Sequence, residues 1–218
     1  MLFRSNAVPF SINSNTNSIS GGWLQEQFSS LKYSNIEIEI LPFFPSNSNI
    51  KKIHNVTSHV IFKPVQNNTY SICRAKSFFK QKLIEYRPDL IHIHGTELPH
   101  CYAMSLAAID LEIPYIVSLQ GIVSEIYKHV LTGMDPETLY NKSIRDIIFG
   151  GSTIDLRILY KKLSVLEKKV VQKAEAVIGR TDWDKAWIKF YFDKKTYFAS
   201  NEPLRKEFLY SKIGRAHV

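Results

Sequence analysis

The sequence is poor in cysteine, with only Cys73 and Cys101 in 218 residues. They form no CxxC pair, which excludes a disulfide scaffold and a zinc site of the usual spacing, and a reducing compartment is the simpler reading. No apolar run approaches the roughly 18 residues of a membrane span. The amino terminus offers only Met1–Phe3 before polar residues begin, so the apolar stretch of a signal peptide is missing. The chain is therefore expected to be cytoplasmic. Acidic residues are in deficit: 20 Asp and Glu stand against 28 Lys and Arg, a formal charge of +8. Such an excess suits an anionic ligand, a membrane surface or nucleic acid, and surface lysines alone would also produce it. Nucleic acid is set aside, because the lysines are dispersed and no recognised motif or aromatic–basic interleaving is present. No internal repeat is evident. What the chain does have is a 44% hydrophobic content, which provides a sizeable core and excludes global disorder. Its length suits one large α/β domain or two small ones.

The hydrophobic pattern alternates between short strands and helices. Met1–Phe3, Ile36–Leu41, Val56–Val65, Leu90–Ile93, Pro114–Leu119, Ala176–Ile178 and Thr196–Ala199 read as strands. Pro42 and Pro45 are expected to bracket a turn, and Pro64 weakens the end of its strand. Trp23–Leu31, Thr69–Tyr86, Leu98–Leu111 and Asp182–Phe190 read as helices, the last with Asp182 as its expected cap. Thr69–Tyr86 carries a stripe of Ile72, Lys76, Phe79 and Leu83. A longer amphipathic helix carries Leu156, Leu159, Leu163, Leu166 and Val170. Asn6–Ser20 reads as a long Ser/Asn-rich loop, and 121–153 as helical pieces joined by turns. This order predicts an α/β fold, a Rossmann-like doubly wound parallel sheet with helices on both faces.

The carboxyl ends of such strands are where ligands bind, and polar residues gather there. Gly21 and Gly22 open a helix after the first strand and loop, where a phosphate could approach the backbone; a plain turn is the alternative. His94, Gly95, Thr96 and Glu97 follow the fourth strand. Glu97 could accept hydrogen bonds from sugar hydroxyls or act as a base, while Thr96 and Glu97 could equally lie in a helix's first turn as caps. His92, His94 and His100 lie near one another in sequence, but without a further ligand in regular spacing no metal is expected. Gln120 and Gly121 follow the fifth strand. Arg180 and Thr181 follow the sixth, where Arg180 could clamp a phosphate or carboxylate, or pair with Asp182 or Asp184. Asn201 and Glu202 follow the last. Polar loops on one edge point to a polyhydroxylated or phosphorylated ligand.

The ordered set Gly21-Gly22-Trp23, Pro88 to Glu97, Ser118 to Gly121, Val177 to Asp184 and Asn201 to Arg205 resembles the amino-terminal half of a family 4 glycosyltransferase with the two-Rossmann GT-B architecture. The likeness extends to about Tyr210. It implies an acceptor-binding domain over residues 1–205 and the start of an interdomain linker over 206–212. It also implies a missing second half that would hold the nucleotide-sugar donor. The resemblance implies transfer with retention of configuration, no metal, and an acceptor that is a polysaccharide or glycolipid precursor. It places Glu97 and Gln120 in catalytic positions, and brings the Gly21-Gly22 loop towards the donor diphosphate. His94, Thr96, Gly121, Arg180, Thr181, Asn201 and Glu202 would then line the substrate site. Many family members carry histidine where this chain has Gln120, and glutamine cannot transfer a proton, although it can still hydrogen-bond a sugar. The basic helix at 157–173 could touch anionic lipid or be a solvated face. Residues 213–218, Ile-Gly-Arg-Ala-His-Val, resemble a translated sequencing-adapter read-through and are set apart from fold reasoning. A stand-alone nucleotide- or sugar-binding module is the competing reading.

Overall fold

The computed structural model describes residues 2–4, 27, 39–45, 60–140 and 151–201. Its centre is a seven-stranded sheet in the order β3-β2-β1-β4-β5-β6-β7, every neighbouring pair parallel. The strands are β1 (Leu2–Arg4), β2 (Pro42–Pro45), β3 (Val60–Phe62), β4 (Ile91–His94), β5 (Tyr115–Ser118), β6 (Ala176–Gly179) and β7 (Thr196–Ala199). The helices are α1 (Thr69–Tyr86), α2 (Pro99–Asp110), α3 (Val123–His129), α4 (Pro136–Tyr140), α5 (Thr153–Lys173) and α6 (Asp182–Tyr191). This is the expected Rossmann-like doubly wound sheet with helices on both faces. The strand order reverses between β1 and β4, and ligands of such sheets lie in the crevice at that reversal, outside the carboxyl ends.

The strands are short and nearly all apolar, as strands covered on both faces must be. Phe43, Ile91, Ile93 and Val117 are fully buried. The α1 stripe seats Ile72, Phe79 and Leu83 in the core, with Phe79 edge-on to Phe62 at 5.0 Å between centroids. Lys76 of that stripe instead reaches out to Asp110 of α2 at 2.8 Å. Asn68 caps α1 by accepting from Ser71 N at 2.8 Å. Both cysteines lie on helices, Cys73 exposed on α1 and Cys101 buried on α2.

Two expectations are corrected. Residues 39–41 are not strand, and the second strand instead runs from Pro42 to Pro45. The Glu-alternating stretch before it imitates a half-buried strand. Phe43 settles the register by packing, wholly buried, opposite Val60 of β3. The prolines sit at the two ends of β2, where a missing amide costs least. In α5, Leu163, Leu166 and Val170 are buried as expected, whereas Leu156 and Leu159 are 38% and 44% exposed. A helix of 21 residues is about 31 Å long, whereas a four-residue strand spans about 13 Å. The amino-terminal half of α5 therefore runs past the carboxyl edge of the sheet. The expected helix at 23–31 apart from Gln27, which is helical, the loop at 6–20, Gly21, Gly22, Glu202 and the segments 206–212 and 213–218 lie outside the described residues.

Candidate active site at the carboxyl edge

The loops leaving β4, β5, β6 and β7 are laced together by main-chain bonds. Gly95 N donates to Ser118 O at 2.9 Å, Leu119 N to Ile178 O at 2.9 Å, and Ser200 N to Gly179 O at 2.9 Å. The Arg180 guanidinium adds a fourth tie, donating to Gln120 O at 2.8 Å. His94, Gly95, Thr96, Glu97, Gln120, Gly121, Arg180 and Thr181 thus share one continuous ledge. Asn201 stands exposed just after β7. Gly95 holds φ 80°, a left-handed turn that suits glycine and lets the chain leave β4 sharply.

Each side chain on the ledge has a definite environment. Glu97 folds back, its Oε2 accepting from Thr96 N at 2.9 Å. Helix α2 begins only at Pro99, with Leu98 as its cap and no side-chain cap bond. Thr96 and Glu97 therefore belong to the loop, and the expectation that they cap the first turn is not met. Thr96 Oγ1 and Gln120 Nε2 are shielded from solvent and make no hydrogen bond among the described residues. Buried polar groups without partners inside the protein are where a ligand's own hydrogen bonds fit. His94 is fully buried, its ring 3.9 Å from that of His92. His92 Nε2 lies 2.7 Å from Ser118 Oγ, and burial pushes the His92 imidazole down to about 4, so His92 is neutral at physiological pH. His100 packs on Phe62 instead, 5.4 Å between ring centroids. Among the described residues no three His, Cys, Asp or Glu side chains group as metal ligands do.

The β6–α6 turn is fixed by a capping box. Thr181 Oγ1 accepts from Asp184 N at 3.1 Å, and Asp184 Oδ2 accepts from Thr181 N at 3.0 Å and Arg180 N at 2.8 Å. The cap is thus Thr181 rather than the expected Asp182. The Thr-x-x-Asp spacing is the signature that identifies it. Asp184 meets Arg180 through the backbone amide, which leaves the guanidinium to brace the β5 loop.

Glu167, on α5, is the residue the sequence reading leaves out. It is fully buried, and its two oxygens accept from Val123 N and Ser124 N, each at 2.8 Å. These are amides at the start of α3, so Glu167 pins the segment that follows Gln120 and Gly121. Burial pushes its carboxyl up to about 7, against the amide bonds that favour the charged form, and the nearby Glu97 charge adds to the rise. Its signal was positional: Glu167 lies four residues after Leu163, on the buried face of an amphipathic helix, where a charge needs a dedicated partner.

No family model matches the chain, and no curated protein matches it. Among solved structures, a UDP-N-acetylglucosamine 2-epimerase matches with a TM-score of 0.51 at 12% identity, over 92% of this chain and 45% of that one. The UDP-GlcNAc 2-epimerase from Methanocaldococcus jannaschii gives a TM-score of 0.49 at 12% identity, over 92% and 44%. UGT71G1 from Medicago truncatula, complexed with UDP-glucose, gives 0.48 at 11%, over 92% and 50%. The chain spans half or less of the length of these three structures. At such identity the likeness to the first of them shows the fold: a Rossmann-like unit of the glycosyltransferase-like GT-B kind.

Proposed function

We propose that this chain is the acceptor-binding half of a retaining glycosyltransferase of the family 4 type. In this reading a sugar passes from a nucleotide-sugar donor to a polysaccharide or glycolipid precursor. The observation that carries it is the laced ledge beside the strand-order reversal, where Thr96 Oγ1 and Gln120 Nε2 have no hydrogen-bond partner among the described residues and Glu97 Oε2 accepts from Thr96 N. The donor site belongs to a second domain of similar size, linked through 206–212, and we assign contact with its diphosphate to Gly21 and Gly22. A retaining transfer asks the protein to hold the acceptor hydroxyl in place and to stabilise the leaving phosphate. Residues on this half perform the first task. Glu97 accepts hydrogen bonds from acceptor hydroxyls, Gln120 donates its amide hydrogens, and neither needs a metal. We assign Asn201, Glu202 and Thr181 to substrate binding as well. No helix among the described residues is long and apolar enough to cross a membrane. We assign a cytoplasmic location, with α5 as a solvated face or a peripheral contact with the inner membrane surface.

In the two-domain protein, Glu97→Ala is expected to raise the acceptor KM by about tenfold, a loss of one charge-assisted hydrogen bond, while the donor KM stays unchanged. Steady-state kinetics with each substrate varied in turn reads this out. An unchanged acceptor KM and kcat would reduce Glu97 to a brace for its own loop. Detectable sugar transfer by the isolated 218-residue chain would defeat the division into two halves.

A further inference from the structure

We propose that a second subsite, in the groove between α3 and α5, takes a phosphate-bearing group. The groove has a volume of about 500 Å³ and is lined by Tyr127, Lys128, Arg157, Ile158 and Lys161. Three of these five side chains are cations. Lys128 is already matched, with Glu125 carboxylate oxygens at 2.7 and 2.8 Å. Arg157 and Lys161 have no carboxylate partner among the described residues. They stand four residues apart on one helix face, where like charges repel one another unless an anion lies between them. Among the described residues the groove therefore carries two positive charges without a carboxylate partner, with Tyr127 as a further donor and Ile158 as an apolar side. That set suits a phosphate ester: Arg grips two oxygens in a fork, and Lys supplies a point charge.

Its place in the fold ties it to the ledge. Glu167 contacts the first amides of α3. Lys161 and Arg157 lie six and ten residues earlier on α5, so about 9 and 15 Å further beyond the sheet edge. An acceptor whose hydroxyl sits at Gln120 and Glu97 would reach the groove with a phosphate one or two sugar lengths away. This last step rests on the acceptor reading; the phosphate site itself does not.

The test is calorimetric titration of the 218-residue chain with glucose 1-phosphate, inorganic phosphate and glucose. Vesicles of phosphatidylglycerol or phosphatidylcholine form a second arm. Both phosphate compounds are expected to bind. Arg157→Gln with Lys161→Gln should weaken them by roughly tenfold or more, whereas the charge-keeping Arg157→Lys with Lys161→Arg should hold within about threefold. Lys162→Gln with Lys173→Gln removes the same net charge elsewhere on α5 and should change little. Binding to phosphatidylglycerol vesicles alone, lost in the groove variant, would identify a lipid headgroup as the phosphate's source. Binding of glucose 1-phosphate would identify a soluble or glycan-borne phosphate. No phosphate-dependent binding in either arm, or equal weakening in the Lys162/Lys173 control, overturns the subsite whatever happens at Glu97. Phosphate binding lost in the groove variant, with Glu97→Ala leaving the acceptor KM and kcat of the two-domain protein unchanged, would sink the acceptor reading and leave the subsite standing.

Discussion

Glu167→Ala is expected to lower stability by roughly 2–5 kcal/mol and to release the loop after β5. The substitution strips the side-chain acceptors that two buried amides, Val123 N and Ser124 N, have among the described residues, and each buried donor left unsatisfied costs about 1–3 kcal/mol. The denaturant midpoint should fall with little change in slope, because the surface exposed on unfolding is the same. Hydrogen exchange should rise at 121–125 before it rises elsewhere. Glu167→Gln keeps the shape and one acceptor, so its loss should be smaller, and its pH behaviour is diagnostic. The folded carboxyl titrates at about 7, above its ordinary 4.5. The folded state therefore holds a proton that the unfolded state has already released. Its contribution is complete below pH 4.5 and is lost as pH rises through about 7, by about 3 kcal/mol. His92 acts in the opposite sense. Its folded value of about 4 lies below the ordinary 6.5, so its contribution is present above pH 6.5 and fades as pH falls towards 4. The two slopes oppose one another between pH 4.5 and 6.5, and the wild-type profile there should be shallow. Glu167→Gln removes one of them, so the variant should grow more stable as pH rises across that window. A variant profile parallel to the wild type would show that Glu167 does not titrate as described.

Gly179→Ala is expected to cost about 2–4 kcal/mol, although the glycine sits in ordinary strand geometry. A Cβ built there would lie 2.5 Å from Tyr197 Oη, 2.7 Å from Tyr197 Cε2 and 2.8 Å from Asp184 Cβ. The tyrosine tip could swing aside at the loss of its bond to Thr181 O. Asp184 could not, because its carboxylate holds Arg180 N and Thr181 N and its backbone belongs to α6. Relieving the clash therefore loosens the capping box and, with it, the base of Arg180. Tyr197→Phe with Gly179→Ala should recover little, since Asp184 still stands in the way. A double variant restored to wild-type stability would place the whole clash on the tyrosine.

Strand exits were the legible part of this chain. Ile93, Leu119, Ile178 and Ala199 are apolar residues followed within one or two positions by Gly or a polar side chain, and in a parallel sheet that break marks the ligand-facing edge. Thr69–Tyr86 and Thr196–Ala199 came out with the boundaries that periodicity gives them. Misreadings arose where local pattern and tertiary packing disagreed. Glu37 and Glu39 alternate like a surface strand, yet the sheet takes Pro42–Pro45 because Phe43 fills the core there. Asp182 looked like a cap because it precedes the apolar residues, but the reciprocal partner of Asp184 is Thr181. The role of Glu167 lay beyond any local window, its partners being 43 and 44 residues away. For the same reason the ties among loops, Gly95 to Ser118 and Arg180 to Gln120, join residues that only the folded sheet brings together.

The partnership of this domain with a second, donor-binding one is tested by reading the coding sequence past the codon for Lys212. Two-domain catalysis requires an open frame that continues, without Ile213–Val218, into a second α/β domain of similar size. A stop codon directly after Val218 would contradict it, and the ledge would then belong to a binding module rather than to half of a transferase.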